Sequence, residues 1–282
     1  MMALAARRCG LLPWFTPAII ARLLPAAPPA TLDEAIATIT ALPFVGHRPW
    51  GYTFHQDTHA GLLAQQPFAE LQAAYTAATP VWLEDWETDE SAVAALRGLI
   101  ITGALENARE RLDDLRLRLL RVENWTVIVN VYDVLAQTNT RATMPLEFSA
   151  VDYFLTGLAH DELQQYKAAL ADYGRALALN PEDARAYNNR GNTHRNLQDY
   201  AAALADYGRA LELNPEYASA YYNTACTYAL QSQVEDACTW LQKAIARDEK
   251  YRQMARTDSD FDSIRAVPCF QALVPPSEST DD

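Results

Sequence analysis

The sequence predicts an all-α fold whose C-terminal half is a solenoid of antiparallel helix pairs. Two observations carry that prediction. Ala169–Pro181 reads ALADYGRALALNP and Ala203–Pro215 reads ALADYGRALELNP, twelve of thirteen letters the same at an interval of 34 residues. A fixed period of that size marks stacked helical units. Alanine and leucine dominate while β-branched runs are scarce, which favours helix. With half of its 282 residues hydrophobic and 21% charged, the chain has the composition of a folded protein, with room for a large core or two modest domains.

Three copies align when Tyr153, Tyr187 and Tyr221 share a column at position 4. Position 8 then holds Gly157, Gly191 and Ala225, position 20 Ala169, Ala203 and Ala237, and position 27 Ala176, Ala210 and Ala244. Small side chains there let two antiparallel helices approach closely. Tyr173, Tyr207 and Leu241 at position 24 fill the space between pairs. Pro181 and Pro215, each after an Asn, end the second helix, and Glu249 replaces the proline in the third copy. On these columns the segment resembles the tetratricopeptide repeat family, with copies at 150–183, 184–217 and 218–251. It departs from the family at position 7, which holds Thr156, Arg190 and Thr224, and at Gly174 and Gly208 inside the second helices.

A solenoid needs its last apolar face covered. Residues 252–274 supply a capping helix, with Phe261, Ile264, Phe270 and Leu273 on its apolar side, and 275–282 form a flexible tail. The resemblance also implies a binding surface, the concave wall built from first-helix positions 2, 5, 6, 9, 12 and 13. In the middle copy these are Arg185, Asn188, Asn189, Asn192, Arg195 and Asn196, and the third copy adds Tyr222, Asn223 and Cys226. Asn carries both a donor and an acceptor, so it can pair with any peptide amide. Arg185 and Arg195 would favour an acidic peptide. The family's clamp for a C-terminal carboxylate fits only at Asn192 and Asn223, because Asn188 stands where that clamp has Lys.

In the first half, Phe15–Leu24 reads as a short helix with a Thr cap. Thr31–Val45 starts with Thr31 as N-cap and Glu34 three residues later, a capping-box spacing. Gly51–Gln65 reads as a strand running into a helix. This order suggests a small winged-helix-like unit over 1–60. It resembles the region after the nucleotide-binding domain in signal-transduction ATPases with numerous domains (STAND proteins), with Tyr52, Phe54, His55 and Asp57 at the strand end. Residues 61–149 read as a helical arm of degenerate hairpins, in which Trp82, Trp86 and Trp125 are packing residues and Glu84–Glu90 a solvated face.

No G-x-x-x-x-G-K-[ST] is present, so no phosphate loop can be argued. His55 and His59 have a metal-ligand spacing, but Gln56 stands where the zincin motif places Glu. No cofactor and no metal is expected. A net charge of −13 disfavours nucleic acid and anionic lipid as partners, and Thr31–Leu42 has no Lys or Arg with which to read DNA. Cys9, Cys226, Cys238 and Cys269 form no C-x-x-C and are expected as four reduced thiols in a cytoplasmic protein. Pro13, Pro17 and Arg22 interrupt the apolar run after Arg7 and Arg8, which argues against a signal peptide. The function expected is non-catalytic binding of a peptide or partner helix in the concave groove, in signalling or regulation. Two alternatives stand beside it: a sensor arm split from a STAND-type regulator, and an enzyme with its site in residues 1–150.

Overall fold

The structure, a computed structural model, describes residues 12–23, 29–41, 45–48, 51–54, 68–84, 89–122 and 124–275. They fall into two compact units, one up to Glu147 and one from Phe148 onward. Apart from one two-stranded hairpin the described elements are helical, as the composition predicts.

The first unit runs α1 (Pro17–Leu23), α2 (Pro29–Thr40), β1 (Val45–Arg48), β2 (Gly51–Phe54), α3 (Phe68–Glu84), α4 (Asp89–Thr102), α5 (Leu105–Val122) and α6 (Trp125–Asn139). Thr16 caps α1 as expected, its hydroxyl accepting from the Ile19 amide at 3.3 Å. Thr31 does not begin its helix. Helix α2 starts two residues earlier at Pro29, whose fixed φ suits a first helical position. The strands pair antiparallel from Val45 opposite Phe54 to Arg48 opposite Gly51. His55, Asp57, His59 and Trp86 lie outside the described residues, as does the helix expected after β2. Phe15, Ile19, Ile20 and Ile39 share one apolar cluster with Tyr75 and Trp82 of α3. That core therefore draws on both sides of the boundary expected at residue 60. Trp82 is fully buried against Trp14 and Tyr75, while Trp125 is half-buried. Among the described residues no helix is long and apolar enough to cross a membrane.

The second unit is three helix pairs: α7 (Ala150–Glu162) with α8 (Tyr166–Leu179), α9 (Ala184–Asn196) with α10 (Tyr200–Leu213), and α11 (Ala218–Leu230) with α12 (Val234–Arg247). Side-chain chemistry sets their ends. Ser149 and Asp152 form a capping box on α7, and Asp183 and Asp199 cap α9 and α10. Asn180 and Asn214 end α8 and α10, each accepting from the amide two residues on. Asp248 does the same for Lys250, so the third copy stops its helix without proline.

The turn inside each pair repeats a backbone device at position 15. Gln164, Gln198 and Ser232 have φ of 58°, 62° and 58°. This left-handed conformation lets the following amide reach back into the first helix, as Asp199 N–H does to His194 C=O at 2.9 Å. A side chain there is strained, so Gln198→Gly is expected to raise stability by about 0.5–1 kcal/mol. A urea midpoint that moves up at constant m checks it; an unchanged or lower midpoint contradicts it.

The unusual Arg190 at position 7 has a structural reason. Its guanidinium donates twice to the buried Asp206, at 2.8 and 2.7 Å. Asp172, the same position one copy earlier, is held by His160 and Arg175 instead, both at 2.9 Å.

The end of the solenoid is closed by α13 (Lys250–Thr257), a 3-10 turn (Ser259–Ile264) and α14 (Pro268–Leu273). Phe261, Ile264 and Phe270 are buried and Leu273 packs on the same cluster, as the spacing predicts. The expectation of four reduced thiols fails here. Helix α14 packs on α12 with the Cα atoms of Cys238 and Cys269 6.2 Å apart, and the two residues form a disulfide. Cys226 is a free, buried thiol.

Candidate peptide-binding groove

Helices α7, α9 and α11 present the expected inner positions, and the structure divides them into two groups. Asn189, Asn192 and Asn223 are half-buried and form a polar row across the second and third copies. Asn223 Nδ2 donates to Asn188 Oδ1 at 3.0 Å, and Asn188 Nδ2 donates to Asn189 Oδ1 at 3.3 Å. Asn188, only 3% exposed, is the internal link of this chain rather than an open contact. Asn192 Oδ1 accepts from the Tyr207 hydroxyl at 2.8 Å. Two of these amides keep unused capacity: Asn192 Nδ2 and Asn223 Oδ1 have no hydrogen bond among the described residues. Asn196, the last residue of α9, is exposed.

The second group is engaged by the chain itself. Tyr222 is 4% exposed, donates to Asp258 at 2.7 Å and stacks on Tyr251 with centroids 4.7 Å apart. Arg195 lies 3.2 Å from Asp260. Ser263 donates to the Ala229 carbonyl at 3.1 Å. The segment 258–264 thus covers inner positions 5, 9 and 12 of the third copy and reaches Arg195 of the second. Arg185 is charge-paired with Asp183 and lies over the Phe154 ring at 5.5 Å. Both cations that would favour an acidic peptide therefore already carry a carboxylate.

Burial governs the electrostatics under the capping segment. It pushes the Cys226 thiol and the Tyr222 phenol well up, with Asp258 adding to each. It also pushes the Asp260 carboxyl up, against the pull of Arg195. Cys226, Asp258 and Asp260 bring ligand-type atoms within 4.8 Å of one another. The arrangement is completed by the Arg195 guanidinium and the Tyr222 hydroxyl, which makes it an internal ion-pair network.

The first copy's share of the wall was not read from the sequence. Val151 is 50% exposed, and Phe154 and Leu158 are half-buried, so positions 2, 5 and 9 of α7 form an apolar strip. At its end Asp161 accepts from the Thr193 hydroxyl at 3.0 Å, and burial holds its carboxyl above the usual range. The acids of TDSDFD, Thr257–Asp262, were the available signal for the covered end: they flank Phe261, so seating that ring in the cap brings Asp258 and Asp260 to the inner wall.

Family models match residues that lie within the three helix pairs. Residues 184–217 and 207–239 match families described as Tetratricopeptide repeat, and 157–198 match one described as TPR repeat. No curated protein matches the chain. Among solved structures it is similar to MamA protein, at 21% identity over 62% of this chain and 94% of that one, with a TM-score of 0.46. It is also similar to YrrB, a TPR protein with an unusual peptide-binding site, at 25% identity over 70% and 88%, with a TM-score of 0.44. A third is the TPR2B domain in a pHsp70 complex of yeast Sti1, at 24% identity over 40% and 94%, with a TM-score of 0.37. The matched residues and the three helix pairs together establish that the chain carries tetratricopeptide repeats.

Proposed function

We propose that the protein is a non-catalytic interaction module that binds an extended peptide along the inner wall of α7 and α9 and beside Asn223 of α11. The observation that carries this reading is the half-exposed amide row of Asn189, Asn192 and Asn223, continued by the apolar strip of Val151, Phe154 and Leu158. Amides with a spare donor or acceptor hold a peptide main chain whatever its sequence, and an apolar strip selects a side chain beside it. The partner is a peptide with an apolar anchor. An acidic peptide has less support, because Arg185 and Arg195 are already paired. A regulatory role in the cytoplasm is the setting proposed, with Cys238 and Cys269 as thiols wherever that compartment is reducing.

The test is affinity purification with the wild type and the Asn189→Ala/Asn223→Ala and Phe154→Ala variants, each first shown folded by circular dichroism. Partners recovered by the wild type are expected to be lost from both variants. Unchanged recovery from the folded variants refutes the groove.

The sensor-arm reading rests on one feature, the order helix, helix, hairpin in α1, α2, β1 and β2. A neighbouring reading frame that encodes a phosphate loop and co-purifies with this protein would favour it.

A further inference from the structure

In the first unit, helices α4 and α6 lie side by side and leave a groove of about 330 Å³ between them, closed at one side by Trp14. Helix α4 lines it with Val93 and Arg97, and α6 with Asn130, Val131 and Val134, the spacings of one helical face. The walls are mostly hydrocarbon, and the volume lies at the small end of the range for small-molecule sites.

Two of the lining residues carry a polar atom that is buried beside the groove. Trp14 is 5% exposed, and its indole N–H has no hydrogen-bond partner. The Nε–H of Arg97 is likewise buried without a hydrogen-bond partner; its guanidinium lies 5.8 Å from the Tyr75 ring centroid, and no described carboxylate neutralises it. Both groups can only donate. Buried donors left without acceptors are destabilising, so native proteins seldom keep them unless something completes them. Here two occur on residues lining the same groove, and one belongs to a permanent cation.

We propose that this groove binds a small apolar monocarboxylate. Its two oxygens would accept from the Arg97 guanidinium and, once the Trp14 ring turns its buried edge to the groove, from the indole N–H, and its alkyl or aryl body would displace water from the valines. A carboxylate fits because it offers acceptors in one plane together with the charge Arg97 lacks. The site is independent of the peptide groove, since every residue that forms it precedes Glu147.

The test uses 4-phenylbutyrate as probe and 4-phenylbutanamide as its neutral counterpart, read by nuclear magnetic resonance of the six indole N–H signals. Trp14→Phe identifies the Trp14 signal. The acid is expected to bind with a Kd on the order of 1 mM, in keeping with its size, and to move the Trp14 signal downfield. The amide and the Arg97→Gln variant should each bind about tenfold more weakly, because a charge-assisted contact is lost. Val134→Trp, which fills the groove, should abolish the shift. Equal binding of acid and amide, no shift of the Trp14 signal at about 10 mM acid, or full binding by a folded Arg97→Gln or Val134→Trp protein would each overturn the proposal.

Discussion

Gly191→Ala is expected to destabilise the protein by about 1–3 kcal/mol, the range for forcing a methyl group into a packed core. A Cβ at Gly191 would stand 2.6 Å from Tyr207 Cε1, 2.9 Å from Cδ1 and 3.2 Å from the Ala203 carbonyl oxygen. The ring cannot retreat freely, because Tyr207 is fully buried and its hydroxyl is held by Asn192. The carbonyl belongs to α10 and moves only with the helix. Gly157 faces Tyr173 in the same way, at 2.8 Å. The third copy supplies an internal control: Ala225 occupies the glycine column where Leu241 has replaced the tyrosine. A bulkier residue is thus found where the ring is absent. It follows that Gly191→Ala/Tyr207→Leu should cost less than the sum of the two single changes. Gly208→Ala is the contrasting case. Nothing lies within 4 Å of its Cβ, so the change should stabilise by about 0.5–1 kcal/mol through helix propensity. Urea midpoints of the four variants decide the matter. A neutral Gly191→Ala, or strict additivity in the double variant, would show that ring and glycine are not in contact.

That pairing shows where the sequence was legible and where it was not. Small residues in matched columns announced the helix pairs, because a 34-residue period constrains every copy alike. The column alone could not say that the glycines face their own repeat's tyrosine, since contact depends on how far apart the helix axes sit. Arg190 looked like a departure for a similar reason. Its partner Asp206 lies sixteen residues away on the next helix, and an acid at that position carries no local pattern. In the groove, position numbers assigned Asn189, Asn192 and Asn223 to the first helices, where the structure has them half-buried. They could not show that Tyr222 and Arg195 are covered, because the covering segment comes from outside the repeats. The disulfide was missed for the same cause: Cys238 and Cys269 are 31 residues apart and meet only because α14 folds back on α12. Periodicity reports what the copies share, whereas the Arg190 pair, the covering segment and the disulfide each occur once among the described residues.

The capping segment is also where a second large effect is expected. Phe261→Ala should cost about 3–5 kcal/mol, the range for removing a fully buried aromatic ring. Phe261 is completely buried, with its ring centroid 5.8 Å from Tyr222 and 5.4 Å from Phe270. Phe261 directly follows the two acids that reach the inner wall, so its loss acts beyond the cavity. Asp258 and Asp260 would no longer be held against Tyr222, Cys226 and Arg195, and the covered end of the wall would open. This second consequence has its own readout. In a Cys9→Ser background the remaining free thiol is Cys226, which is buried under Asp258. It should react slowly with a thiol reagent in the parent protein and many times faster in the Phe261→Ala variant under native conditions. Urea unfolding gives the stability change independently of the thiol chemistry. The disulfide holds α14 to α12 in both proteins, so faster labelling would report movement of 258–264 rather than loss of the whole cap. Should the variant keep its urea midpoint and its slow thiol, Phe261 would not be the residue that seats the capping segment, and the closure of the third repeat's inner wall would need another cause.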